Sequence, residues 1–297
     1  PIMLSMLIQA CYNIVDSMFV ARYSQDALAA VSLAFPIQML IIAVSVGTAV
    51  GVNSLLARRL GEGRMEAVNQ AGQHGVILAL LSSAVFALFG LSGARMFADL
   101  FTTSEAIASQ AAQYIGIVTV FCFGVFVQIV MERIMQATGN AIYNMVMQGI
   151  GALVNIILDP IFIFGLGMGV RGAALATIIS QFFSAVWIVR FLTGKRTILR
   201  LRLSCLRPQW KRIRAIVGLG MSGFTMAITN CTVQIVCNAT LQTFGGDLYV
   251  GVMTVINSLR EVASMPVQGV TNSAQPVMGF NYGAKEYGRV KKAIVFT

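Results

Sequence analysis

Stretches apolar enough to cross a bilayer follow one another along this whole chain. They fall at about 1–21, 29–57, 73–98, 107–135, 141–166, 172–193, 215–244 and 248–280, and a ninth opens near 290. Crossing the hydrocarbon core as a helix takes about 20 such residues. A membrane β-barrel would instead alternate over strands of about 10 residues. A soluble domain would carry about 25% charged residues, whereas 11% are charged here, 57% are hydrophobic and the mean hydropathy is +0.78. The expected fold class is an all-α polytopic membrane protein, placed in the cell (inner or plasma) membrane.

Basic residues set the expected orientation, because short cytoplasmic loops collect Lys and Arg. Arg58, Arg59 and Arg64 follow the second span, Lys195 to Arg214 hold a dense basic run after the sixth, and Lys285, Arg289, Lys291 and Lys292 follow the eighth. These loops and the N-terminus are predicted to be cytoplasmic. The net charge of +10 is thereby accounted for by loops flanking spans, which argues against nucleic acid as a partner. The basic run also divides the chain. The predicted organisation is a first six-helix lobe at 1–194, a basic linker at 195–214 that rests on anionic lipid, and part of a second lobe at 215–297. Pro1 already lies in an apolar stretch, so the chain is expected to be an internal piece of a longer polypeptide.

A repeat crosses this boundary. Gln25-Asp26 before Ala29-Ala30-Val31 parallels Gly246-Asp247 before Val250-Gly251-Val252, and Gly61-Glu62-Gly63-Arg64 parallels Gly283-Ala284-Lys285-Glu286. Six spans separate the copies, so both enter the membrane from the same side. Parallel repeats related by an axis along the membrane normal are a transporter arrangement, with a substrate path between the halves.

Two carboxylates fall inside these spans. A carboxylate at bilayer depth costs at least about 2.5–3.5 kcal/mol and usually faces a cavity with a task there. Gln9, Tyr12, Asn13 and Asp16 recur at helical spacing on one face of the first span; such a stripe either lines a path or binds helices together. In the fifth span, Asn155 and Asp159 are one turn apart. Pro160 has no N–H and frees the carbonyl of Ile156. Amide oxygen, carboxylate and free carbonyl together make an oxygen-rich pocket suited to a hard cation such as Na⁺. Asp16 and Asp159 both lie in the outward halves of their spans, and Thr177 of the sixth span is near the same depth. In the seventh span, Asn230, Gln234, Asn238 and Gln242 form a row that either lines a central cavity or packs helices.

Other chemistry is not expected. The five cysteines show neither metal nor disulfide spacing. His74 stands alone, at a predicted loop–helix junction, and no nucleophile–base or metal constellation accompanies it, so the chain is not read as an enzyme. No P-loop is present. An ion gradient is then the natural energy source, and no cofactor beyond the coupling ion is implied.

The segment Asn155-Ile-Ile-Leu-Asp159-Pro160-Ile-Phe-Ile-Phe-Gly165, followed by Gly172-Ala-Ala-Leu-Ala-Thr177-Ile-Ile-Ser180, resembles the multidrug and toxic compound extrusion (MATE) transporters. So do Asp16 with Phe19-Val20, Leu28-Ala-Ala-Val31 with Pro36, and, in the second half, Gln275-Pro276 and Asn281-Tyr282-Gly283-Ala284. Within the family the likeness is to bacterial drug exporters of the MepA and DinF kind, and it covers essentially the whole chain. It implies a MATE fold of two six-helix lobes, here truncated after the first two spans of the second lobe and the start of a third. It implies alternating access and export of organic cations in exchange for Na⁺ or H⁺. The matching cation-binding positions are Asp16, Asn155, Asp159 and Thr177, with Na⁺ as the metal candidate at the first three. The resemblance adds Glu132 as a substrate-attracting acid, alongside Gln9, Tyr12, Asn13, Asn230, Gln234 and Asn238 as substrate-binding candidates. The seventh span has no acid where some relatives carry one, which argues against coupling through it. Cationic drugs and the lipid bilayer are the expected partners, and a monomer the expected state. The alternative is a lipid-linked oligosaccharide flippase of the same broader superfamily.

Overall fold

The computed structural model describes residues 2–102, 104–192 and 209–297, apart from the side chains of some helical positions, among them Asn13, Asn238 and Gln242. It is helical throughout the described residues, without a strand. In chain order the helices are α1 (Ile2–Tyr23), α2 (Gln25–Gly61), α3 (Met65–Phe101), α4 (Glu105–Val120), α5 (Phe123–Ala137), α6 (Ala141–Pro160), α7 (Val170–Leu192), α8 (Trp210–Gly283) and α9 (Tyr287–Phe296). Among the described residues, five helices are long and apolar enough to cross a membrane, or six when α4 and α5 count as one bent span. The basic run expected to be a linker lies mostly outside the described residues, and its last positions, from Trp210, already belong to α8.

Helices α1 to α7 share one core, whose fully buried members include Leu56, Ile115, Phe126, Met131, Ile134, Met147 and Ile163. The stretch read as a fourth span is two helices bent by 47° at Phe121–Cys122. The fifth span ends as its proline requires. Pro160 closes α6, and the chain then widens into a π turn over Ile161–Gly165, with the Leu166 N–H donating to the Ile161 carbonyl at 2.8 Å. Gly167 and Gly169 then take φ values of +62° and +54°, a region that glycine enters without steric cost.

The last long element, α8, covers 74 residues. Straight, such a helix would be about 110 Å long. Yet Gly220 packs on Gly47 and Gly279 packs on Ala57, only ten positions apart along α2. Ten residues of helix cover about 15 Å, whereas the 59 from Gly220 to Gly279 would cover about 90 Å. The chain therefore doubles back between these contacts, giving the two antiparallel arms that the sequence placed on either side of Gly245-Gly246-Asp247. Among the described side chains, the buried positions of α8 are Ile213, Ile216 and Gly220 toward its start and Gly269 and Pro276 toward its end.

The repeat is visible in the backbone. Glu62, Gly63 and Arg64 donate their N–H groups to Arg58, Leu60 and Arg59, while Ala284, Lys285 and Glu286 donate to Phe280, Tyr282 and Asn281. Every member of the second set is 222 positions after its counterpart. Gly63 and Lys285 both adopt positive φ, +71° and +64°. The two ends also meet each other reciprocally. Gly61 abuts the Phe280 carbonyl, and Gly283 abuts the Arg58 carbonyl. Gly279 faces its own counterpart, Ala57. Such an exchange of equivalent contacts is the mark of a twofold axis, here internal to one chain. Around it Gln275 donates to Ser54 at 3.3 Å, and the Arg58 guanidinium lies 5.4 Å from the Tyr282 ring centre.

Candidate cation site and its surroundings

Helices α1 and α6 pack side by side and carry the acidic pair between them. Asp159 and Asn155 are 0% and 1% exposed, one turn apart, with the Asn155 amide donating to Asp159 Oδ1 at 3.4 Å. The carboxyl groups of Asp16 and Asp159 are within hydrogen-bond reach of each other. Three oxygens are left buried without a hydrogen-bond partner: Asp16 Oδ1, Asn155 Oδ1 and Asp159 Oδ2. Two anionic carboxylates this close and this dry repel strongly, since low dielectric magnifies Coulomb energies. A proton shared between them, or a hard cation accepting the three oxygens, relieves that repulsion. The donor set is all oxygen, and no cluster of three or more His, Cys, Asp or Glu occurs among the described residues, so the pair suits a monovalent ion better than a transition metal.

The other expected residues fall at different distances from this pair. Tyr12 bonds with Gln9 and lies in electrostatic reach of Asp16, Glu132 and Asp159. The Asn13 side chain lies outside the described residues. Thr177 is half-buried on α7, which packs against α6. Glu132 is fully engaged: its Oε1 accepts from Gln136 at 3.1 Å and from Asn144 at 3.0 Å, and its Oε2 accepts from Gln148 at 2.9 Å. Arg133 reaches this group through Gln136 Oε1, at 3.2 Å, rather than by pairing with Glu132. On α8, Asn230 is exposed and lines a shallow depression of ≈ 510 Å³ with Met221, Ser222, Thr225, Met226 and Thr229. Gln234 is half-buried, and the Asn238 side chain is outside the described residues. A second cavity, of ≈ 360 Å³, opens beside Tyr23, Gln110, Gln113 and Arg171. Neither cavity is lined by Asp16 or Asp159.

Two residues of the site were not anticipated. Tyr114 of α4 is 3% exposed, accepts a hydrogen bond from Gln38 Nε2 of α2 at 2.9 Å, and lies in electrostatic reach of Asp16, Asp159 and Tyr12. One polar group per span leaves no periodic signal, and the partners are 76 positions apart. His74 corrects an expectation. Instead of standing at a loop edge it is 1% exposed within α3, because that helix begins at Met65, well before its apolar stretch.

Membrane-length helices around one core, with paired carboxylates between two of them, define a polytopic helical membrane protein. The chain belongs to the MatE family, whose sequence model matches residues 1–161. It is 27% identical over 288 residues to the probable multidrug resistance protein NorM of Thermotoga maritima, covering 94% of this chain and 61% of that protein. It is 23% identical over 283 residues to the multidrug export protein MepA of Staphylococcus haemolyticus, covering 95% of this chain and 62% of the relative. The chain thus spans about three-fifths of the length of these relatives. A solved multidrug resistance MATE transporter of the MOP superfamily, in an outward-facing conformation, superposes with a TM-score of 0.94 at 28% identity, over 100% of this chain and 66% of its own.

Proposed function

We propose that this protein is a secondary active exporter of organic cations that works by alternating access and draws its energy from Na⁺ or H⁺. One observation carries the reading: Asp16, Asn155 and Asp159 each leave one buried oxygen without a hydrogen-bond partner where α1 packs on α6, with the Asn155 amide already donating to Asp159. The names of its relatives, multidrug resistance and multidrug export proteins, support the substrate class. An ion entering the pair from outside draws the two helices together and favours one orientation of the bundle relative to the α8 arms. Drug and ion are then linked through their different affinities for the two orientations. A flippase for lipid-linked oligosaccharides would need a basic cavity for pyrophosphate, whereas the groups gathered where α1 packs on α6 are the carboxylates of Asp16 and Asp159 and the amide of Asn155.

The test is transport into sealed vesicles, read with a fluorescent organic cation under a Na⁺ gradient alone and then a pH gradient alone. Asp16→Asn and Asp159→Asn should each reduce gradient-driven transport at least about tenfold while insertion into the membrane is unchanged. Parental rates in both variants would refute the proposal, and the gradient that drives the parent identifies the ion.

A further inference from the structure

His74 is the only histidine of the chain and is almost completely buried on α3. Its Nδ1 lies 2.7 Å from the Gln70 carbonyl oxygen, one turn earlier, and its Nε2 lies 3.0 Å from the backbone nitrogen of Gln209. A carbonyl oxygen only accepts and a backbone N–H only donates. Both contacts therefore require one form of the ring, neutral with its proton on Nδ1. The second contact spans 135 positions of sequence. Gln209 is the N-cap residue of α8, extended at φ −108° and ψ 109°, and its own side chain makes no capping bond. The first N–H groups of a helix have no acceptor within that helix. Here α3 supplies one from outside. The turns that follow, with Ile213, Ile216 and Gly220, are the ones by which this arm is buried.

We propose that His74 is a positioning residue for transport: it seats the root of α8 on α3, so that movement of the bundle holding the acidic pair is passed to the α8 arms. This rests on the exporter reading above. The glycine contacts between α2 and α8 set how closely the helices approach. They are backbone surface in van der Waals contact, and so resist sliding and rotation only weakly. The bond from Gln209 to His74 is directional and its acceptor ring is buried, although Gln209 itself is exposed, and it fixes the register that the glycines leave free.

The experiment reads the distance distribution between spectroscopic labels at Met65 and Trp210, both exposed, and in parallel the vesicle transport rate. His74→Leu keeps the bulk but offers no acceptor. It should broaden the distribution and cut transport up to roughly tenfold, the scale of one lost hydrogen bond, while leaving Na⁺ or H⁺ binding to the acidic pair intact. His74→Gln, whose side-chain carbonyl can accept, should restore both most of the way. A parental distribution in His74→Leu, or a His74→Gln variant as broad as His74→Leu, overturns the proposal. Deuterium exchange at the Gln209 amide tests it in the unaltered protein: protection agrees, and exchange at the rate of an open surface amide overturns it. Neither the distance nor the exchange involves drug or gradient, so a failure of the exporter reading would leave these results distinct.

Discussion

Gly61→Ala and Gly283→Ala probe the crossing of α2 and α8 most directly. A methyl group at Gly61 would collide with the Phe280 carbonyl oxygen and sit 2.9 Å from its carbon and 3.0 Å from the Ala284 nitrogen. At Gly283 the same group would collide with the Arg58 carbonyl oxygen and sit 2.9 Å from its carbon. Carbon atoms rest at about 3.5–4.0 Å, so the carbon contacts alone require the helices to part by at least roughly 0.6–1 Å, and the obstacle in both cases is backbone that cannot rotate away. Overpacking of this kind costs about 1–3 kcal/mol. If the cost falls on the state in which the helices cross, the balance between orientations moves roughly 5- to 150-fold. The two sites share one interface, so the double variant should cost less than the sum of the singles. Gly218→Ala is the control: on α8 beside the seam, it has nothing within 4 Å of the added methyl and should be neutral or slightly stabilising. Gly220→Ala, two residues on, meets the Gly47 carbonyl and should behave like the crossing variants. Distances between labels on α2 and α8, with thermal unfolding in detergent, measure both effects. Gly283→Ala indistinguishable from Gly218→Ala would show that close approach at the crossing does not matter.

Three further outcomes are expected. Glu132→Ala strands the Asn144 and Gln148 amide donors and should lower stability by about 1–3 kcal/mol, seen as a reduced unfolding temperature, while Glu132→Gln should lose less because its carbonyl still accepts. Tyr114→Phe removes the bond from Gln38 and should cost about 1 kcal/mol, with ion affinity at the acidic pair changed more than overall stability in a binding titration. Glu62, in the turn after α2, is held below the usual carboxylate range by the hydrogen bond from Arg59, then by its charge and by Arg58. That contribution is present above the range where a free carboxylate titrates and fades as pH falls through the lowered value. On an exposed pair it is at most about 1 kcal/mol, so limited proteolysis at this turn should quicken slightly in acid, and Glu62→Gln should remove the pH dependence.

What the sequence displayed follows from how each feature is encoded. The spans are legible because membrane solvation demands long apolar runs, and the acidic pair because a carboxylate in such a run is costly enough to stand out. Asn155 and Asp159 are one turn apart, so periodicity alone joins them; bringing Asp16 to them needed matching depth and the packing of α1 on α6. The repeat could be read from Gly61 to Arg64 and from Gly283 to Glu286 because turns at helix ends constrain residue type, although Lys285 holds a positive φ that glycine would hold more easily. The bend at Phe121–Cys122 carries no proline or glycine at the break, and it was not foreseen. Tyr114, Gln38 and His74 were missed as site or anchoring residues for one shared reason: each finds its partner across the bundle, where local pattern has nothing to say.

The reciprocal contacts of Gly61 and Gly283 have a mechanical consequence. Arms that meet at equivalent points share one seam, so a substitution that widens it on one side bears on the equivalent contact of the other. The first arm of α8, from Trp210 to Gly246, holds no carboxylate. The turn at the crossing occurs twice, at Glu62–Arg64 and at Ala284–Glu286, while the buried acidic pair lies on α1 and α6.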